Sequence, residues 1–539
     1  MAKLNLFVLC VLAAWCGYVS AKEKVVMCYY GTWATYRNGD GQFNVDHINT
    51  DLCTHLIYTF VGINDQGTVI SLDPWLDLPD NWGRDNFRKF NALKQQKPSL
   101  KTLLAVGGYN EGSAKYSRMA ANPTLRQNFI TSATKMLLTY GFDGFDLDWE
   151  YPNRRDTVYG RADIDNFTTL TKELRAEFDK HGLLLSAAVA AVGSVAVLSY
   201  DVPAFTQYVD YVNLMTYDLY GAWDSVTGHN AGLHKGLGDE NVAKGNVFSV
   251  DLALEWWLQQ GCPADKLVLG VPLYGRTFRL TNANNNGVRA PASGAGIAGT
   301  WTATSGFLGY NEFCLKLKTE NWDVRYDHLA KVPYAVQGNN WVSYDDPASI
   351  AAKIQHALQY NIAGAMVWSI ETDDFRGKCA GDFPLLRAVN EALGKYSGNN
   401  NPAPTTTTTT TPRPAATTTT TTPRPAVTTT TTTPRPAVTS TTTTPRPAAT
   451  TTTTTPRPAA TTTTTTPRPA VTTTPTVPST SVCKQAGHNP NPDDCHSYYV
   501  CVHGGSGKFI AHLMRCPANL HWDQQNVLCN YADIAKCKV

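Results

Sequence analysis

The residues best suited to chemistry sit in one run, Phe142-Asp143-Gly144-Phe145-Asp146-Leu147-Asp148-Trp149-Glu150-Tyr151-Pro152, with four carboxylates in eight residues beside large apolar side chains. On a strand, alternate side chains share a face. Asp146, Asp148 and Glu150 then line one side at a spacing of roughly 6.6 Å, while Leu147 and Trp149 face the other. The last carboxylate lands at the strand's C-terminal mouth. Like charges this close, taken partly out of water, push at least one pKa upward, and a carboxyl that keeps its proton near neutral pH can serve as a general acid. Glu150 is the residue expected in that role. A divalent-cation site and a solvated acidic loop are the competing readings. A calcium loop wants glycine and oxygen ligands on a turn; the interleaved Leu147 and Trp149 favour acid–base catalysis instead.

From Lys22 to about Lys395, short apolar runs alternate with longer helical-looking segments, the pattern of repeated βα units and a parallel sheet. Eight candidate strands can be read: Val25 to Tyr30, His55 to Phe60, Lys101 to Val106, Gly144 to Trp149, Leu183 to Ala190, Tyr211 to Met215, Leu267 to Leu273 and Ala363 to Ile370. Eight parallel strands in a domain of this size predict an α/β fold, a closed (β/α)8 TIM barrel. Several runs end in polar or aromatic clusters, such as Gly107-Gly108-Tyr109-Asn110 and Thr216-Tyr217-Asp218, at the end where such barrels keep their active sites. The segment between the seventh strand and the helix near Pro347 is too long for an ordinary loop. A small α+β insertion over about 277–341 is expected there.

The chain opens with Lys3, an apolar run from Leu4 to Trp15, and small residues ending at Ala21, the layout of a cleavable secretory signal over 1–21. The apolar run is too short to span a bilayer. Residues 22–396 form the expected catalytic barrel and 397–480 a Thr/Pro-rich linker. There Pro-Arg-Pro-Ala recurs at Pro412, Pro423, Pro434, Pro445, Pro456 and Pro467. Nothing apolar repeats with that period, so a right-handed coiled coil is excluded. The composition predicts a disordered, O-glycosylated stalk. Its reach would be about 50 Å as a flexible coil and about 245 Å as extended polyproline. The formal charge is +2 overall; the linker's six arginines and a tail excess of one base leave −5 for residues 1–400. A mildly acidic main domain disfavours nucleic acid as a partner and suits a neutral substrate.

The acidic run resembles the signature of the family-18 glycoside hydrolases, the animal, arthropod-type chitinases in particular. The resemblance extends over essentially all of residues 22–395. It is carried also by Leu103 to Gly108, Met215-Thr216-Tyr217-Asp218, Gly270 to Arg276, and Gly364-Ala365-Met366-Val367-Trp368. The resemblance implies hydrolysis of β-1,4-linked N-acetylglucosamine, with the substrate's own acetamido oxygen as nucleophile and retention at the anomeric carbon. Carried over residue by residue, Glu150 is acid and then base, Asp148 holds the acetamide N–H, Asp146 shares a proton with Asp148, and Tyr217 bonds the acetamide oxygen. Asp143 supports the strand end. Asp218 and Arg276 would contact sugar hydroxyls and Trp368 would floor the site. Gly108, Tyr109 and Asn110 line it, and Tyr29, Trp33, Phe60, Met215, Trp223 and Tyr274 are further candidate substrate-binding residues, with packing the alternative for each. Tyr109 departs from the tryptophan common in relatives, which bears on the strength of that subsite. The scheme implies no cofactor and no metal, and a monomer with no nucleic-acid or membrane partner is expected.

Five mature cysteines precede the linker, an odd number. As in relatives, Cys28–Cys53 and Cys314–Cys379 are the expected bridges, with Cys262 left as an inert thiol. Asn166-Phe167-Thr168 is a candidate N-glycosylation sequon. From Cys483 the spacing C-x11-C-x5-C-x14-C-x12-C-x7-C defines a small disulfide-rich module over 481–539. It resembles the peritrophin-A type chitin-binding module, which implies Cys483–Cys501, Cys495–Cys537 and Cys516–Cys529. A zinc site is disfavoured by the gaps and by secretion. Tyr498, Tyr499, Phe509, Trp522 and Tyr531 are the aromatics available for sugar stacking or for the module's core. Together these readings predict an extracellular chitinase, in the gut lumen or peritrophic matrix, tethered to chitin. The alternatives are a chitin-binding lectin or matrix protein that does not cut, against which Glu150 argues, and an enzyme for N-glycans or peptidoglycan, against which the tail argues.

Overall fold

The computed structural model describes residues 23–395 except 244, and within the C-terminal module residues 482–483, 487–503, 509–516, 520–524, 528–531, 535 and 537. The expected signal and the linker lie outside the described residues. The chain divides into two compact units, one holding the barrel and the other the module.

Eight parallel strands close on themselves: β1 (Val25–Gly31), β2 (His55–Ile63), β3 (Lys101–Gly107), β4 (Gly144–Asp148), β5 (Leu184–Ala190), β6 (Tyr211–Met215), β7 (Leu267–Pro272) and β8 (Gly364–Trp368). Each pairs with its sequence neighbour, and β8 pairs back onto β1 through Val25↔Gly364 to Cys28↔Val367. The strands are almost wholly buried because helices cover their outer faces while side chains fill the barrel inside. The covering helices have local start and stop signals. Helix Pro123–Tyr140 begins with Asn122 accepting from the Thr124 and Leu125 amides, takes Pro123 in its first turn, and ends on Gly141 at φ +80°. Helix Pro347–Leu358 starts on Asp346, which accepts from the Ser349 amide.

Between β7 and β8 lies an antiparallel sheet running from Tyr274–Leu280 to Asn340–Ser343, with helix Tyr310–Thr319 against it. It begins before the expected 277 and ends after 341, because Tyr274–Leu280 leaves β7 across one residue and is itself paired along its length with Phe307–Gly309 and Asn340–Ser343. It has its own small core of Leu308, Phe313, Trp322, Ala335, Val342 and Tyr344. Disulfides join Cys28 to Cys53 and Cys314 to Cys379, and Cys262 is a buried free thiol pushed up to about 12 by burial. Asn166 lies on helix Ala162–Phe178, partly exposed.

The module has a three-stranded sheet of Gly487–Pro490, Ser497–His503 and Phe509–Arg515, and a hairpin of Leu520–Asp523 with Leu528–Tyr531. Disulfides join Cys483 to Cys501 and Cys495 to Cys537. Cys516 is disulfide-bonded, while the side chain of Cys529 lies outside those described, as do those of Phe509 and Tyr531. Trp522 is buried and Tyr498 stacks on it with ring centroids 3.9 Å apart, so Trp522 serves the core rather than an open face.

Candidate active site

The acidic run forms β4 and the turn beyond it. Asp146 and Asp148 point into the barrel, while Leu147 and Trp149 pack outward, the indole Nε1 donating to Ser113 Oγ at 3.1 Å. Asp146 is fully buried and accepts from Tyr29 OH at 2.9 Å, Ser186 Oγ at 2.5 Å and Asn213 Nδ2 at 3.2 Å. Burial nevertheless lifts its pKa to about 6, the three hydrogen bonds opposing the rise. Asp148 lies one pleat nearer the mouth. Its Oδ1 is buried without a hydrogen-bond partner, and burial, then the charges of Glu150 and Asp146, raise its pKa well above the carboxylate range. No hydrogen bond joins Asp146 to Asp148 among the described residues, because the oxygens of Asp146 face β1, β5 and β6. Glu150 follows the strand, and burial lifts it to about 7, with Arg155 pulling down and Asp218 pushing up. Asp143 lies at the opposite end of β4, held by Lys94 Nζ at 2.8 Å and the Thr102 amide at 2.9 Å. It fixes the strand end, away from the mouth.

The mouth is closed on one side by Asp218, a left-handed residue at φ +55°, whose carboxylate takes both Nε and Nη2 of Arg276 at 2.6 and 2.7 Å and Tyr274 OH at 2.7 Å. Tyr217 is buried beside Asp148, its hydroxyl 3.7 Å from Met366 Sδ. Met215 ends β6 partly buried. On the other side Trp368 gathers Tyr29, Trp33 and Phe60 at ring-centroid distances of 5.5, 6.2 and 5.8 Å. Gly107 and Gly108 have φ +111° and +81°, and the Gly108 amide donates to Asp148 O at 2.8 Å, so the ends of β3 and β4 touch. Trp33, Trp223 and Tyr109 are 43%, 60% and 66% exposed, and Asn110 is exposed beside Tyr109.

Two of the expected stacking residues do not present a ring. Tyr29 and Tyr274 are 1% and 2% exposed, with hydroxyls committed to Asp146 and Asp218. They orient carboxylates instead. The Tyr274 ring is covered by Phe307 at 4.5 Å, and the Arg276 guanidinium stands over that pair and over Trp223.

The arrangement is a cluster of acids at the C-terminal end of a (β/α)8 barrel, their pKa values raised by burial, with Glu150 nearest the mouth and an aromatic wall beside it. The model for glycosyl hydrolases family 18 matches residues 25–373. The chain belongs to that family. The family-18 domain is followed by a match to the chitin binding Peritrophin-A domain over residues 483–537. Probable chitinase 2 of Drosophila melanogaster is 42% identical over 402 residues, 69% of this chain and 80% of the relative. The structure of Ostrinia furnacalis Group IV chitinase in complex with allosamidin is 56% identical, covering 69% of this chain and 99% of that one at a TM-score of 0.68. Human YKL-39, described as a pseudo-chitinase with retained chitooligosaccharide binding, is 37% identical over 69% of this chain and all of its own, at a TM-score of 0.63.

Several residues of this family-18 site were not visible in the sequence. Ser186 and Asn213 secure Asp146, Asn230 Oδ1 takes the Asp218 amide at 2.9 Å, and Arg155 grips the turn after Glu150. The available signal was weak: Ser186 and Asn213 are single polar residues inside otherwise apolar strands, where a buried polar group must find a partner.

Proposed function

We propose that this chain is a secreted chitinase that hydrolyses β-1,4 linkages between N-acetylglucosamine units by substrate-assisted, anomer-retaining catalysis, held on chitin by its C-terminal module. The observation that carries the reading is Glu150, lifted to about 7 by burial, beside Asp148 with an unpartnered Oδ1. Protonated Glu150 gives its proton to the glycosidic oxygen as the bond to the anomeric carbon breaks. The acetamido carbonyl oxygen of the same sugar attacks that carbon, forming an oxazolinium ion. Asp148, whose raised pKa leaves it protonated, must first pass its proton to Asp146; as a carboxylate it then accepts from the acetamide N–H and balances the positive charge, and Tyr217 OH donates to the acetamide oxygen. Glu150, now a carboxylate, takes a proton from water, which attacks the anomeric carbon, opens the ring with retention, and leaves Glu150 protonated. For Asp146 to share a proton with Asp148, Asp148 must first turn inward. Every proton and electron pair comes from substrate, water or a carboxylate, so the scheme calls for no cofactor.

Trp368 floors the site, with Trp33, Phe60, Met215 and Trp223 as the apolar surfaces for neighbouring sugars, Gly108, Tyr109 and Asn110 along the rim, and Asp218 and Arg276 for hydroxyls. The leader over 1–21 and the disulfides support an extracellular setting, and the module supports the gut lumen or peritrophic matrix. Among the described residues no helix is long and apolar enough to cross a membrane. One chain carries the whole site, in keeping with a monomer, and the −5 charge of residues 1–400 gives nucleic acid no purchase. Asn166 is a site for N-glycosylation.

Glu150→Gln is expected to lower hydrolysis of a soluble chitin oligomer by about 10²–10⁴-fold while binding persists; an unchanged rate would remove Glu150 from the mechanism. A binding-only reading has the pseudo-chitinase neighbour in its favour. It would be established by a wild-type chain that binds the oligomer and releases no reducing ends.

A further inference from the structure

The turn from Tyr151 to Arg161 is held more firmly than a loop between elements needs. Asp156 Oδ1 accepts the Ser113 amide at 2.8 Å, and Ser117 Oγ accepts the Val158 and Tyr159 amides at 3.1 and 3.0 Å. Within it Arg155 adopts φ +63°, a left-handed conformation unfavourable for a residue with a Cβ. That conformation places its side chain back over the site. Arg155 Nη1 donates to Tyr109 O at 2.7 Å and to Glu150 O at 3.2 Å, and its Cζ lies 4.0 Å from the centre of the Tyr109 ring. Glu150 O also accepts from Ser113 Oγ at 3.1 Å, so the peptide carrying the acid is gripped from two sides.

We propose that Arg155 is a positioning residue for hydrolysis: its guanidinium ties the backbone of Glu150 to the Tyr109 ring and sets one positive charge beside the acid. The inference rests on Glu150 being the acid. Lysine is not equivalent, because one guanidinium nitrogen bonds both carbonyls while the planar face of the group covers a ring, which a tetrahedral ammonium cannot do. The groups facing Glu150 are Asp148 on β4, Asp218 beyond β6, Tyr151 on its own turn, Tyr200 beyond β5 and Tyr217 at the end of β6. The Asp218 carboxylate favours the protonated acid, and Arg155 is the cation that opposes it. It therefore keeps Glu150 able to return to the carboxylate that must activate water.

The test is the pH profile of kcat/KM on a soluble oligomer for wild type, Arg155→Gln and Arg155→Lys. Losing the cation raises the acid's pKa, so Arg155→Gln is expected to move the alkaline limb upward by about 0.5 pH unit. Arg155→Lys leaves the limb in place. Both variants raise KM about 3–10-fold as the Tyr109 ring loses its support. If Gln unsettles the turn, Arg155→Met, which keeps an unbranched stem without the charge, must show the same limb shift. A limb that stays put in folded Gln and Met variants, or that moves equally in the Lys variant, overturns the proposal, since a merely structural role changes kcat or Tm without that sign. Activity surviving in Glu150→Gln would instead sink the assignment of the acid, and so separates the two failures.

Discussion

Asp218 does two jobs at the mouth. It orients Arg276 and Tyr274 through three short hydrogen bonds, and its charge pushes Glu150 toward the protonated form. Asp218→Asn should therefore move the alkaline limb of kcat/KM opposite to the loss of Arg155, downward by about 0.5 pH unit, because a group whose ionised form is no longer repelled gives up its proton at lower pH. KM should rise as Arg276 loses its bidentate partner; a limb moving upward would contradict the stated electrostatics. At this scale the acids were legible, since alternation along one strand puts Asp146 and Asp148 on one face whatever the rest of the chain does. Their partners were not. Ser186 and Asn213 lie 40 and 67 residues from Asp146 in the chain, and no local pattern ties them to it. Tyr29 and Tyr274 were legible as site residues but not as buried hydroxyl donors, because exposure is a property of what packs on a ring.

The ends of β3 and β4 are brought together by two glycines. A Cβ on Gly107 would overlap Asp148 O, and one on Gly108 would lie 2.6 Å from the Phe60 ring. Gly107→Ala adds to that overlap the strain of a side chain at φ +111°, at a cost of about 1–3 kcal/mol. A lower Tm should accompany a loss in kcat larger than the loss in substrate binding, since the strand that yields carries Asp148. An unchanged Tm and kcat would show that the two strand ends need not touch. The barrel strands themselves were readable within a few residues, because fully buried parallel strands are short apolar runs separated by helices with their own caps. The insertion's sheet reaches two or three residues past the expected limits at each end. Its first strand departs almost directly from β7, and a strand's partner, not its composition, decides where it begins.

In the whole molecule the family-18 domain and the Peritrophin-A module are separate units. Removing residues 481–539 is expected to reduce activity on insoluble chitin while sparing soluble oligomers, since a tether raises local substrate concentration without touching the chemistry; equal losses on both would count against tethering. The sequence by itself determined the eightfold alternation, the carboxylates on one strand face, the Thr/Pro composition of 402–480 and the cysteine spacing of the module. All of these are carried by local period, composition or short spacing. Tertiary structure decided which side chains from distant strands satisfy Asp146, which aromatics stay open to a sugar, and that Arg155 closes over Tyr109 and the backbone of Glu150. These depend on contacts between residues remote in the chain, and such contacts exist only once the barrel has closed.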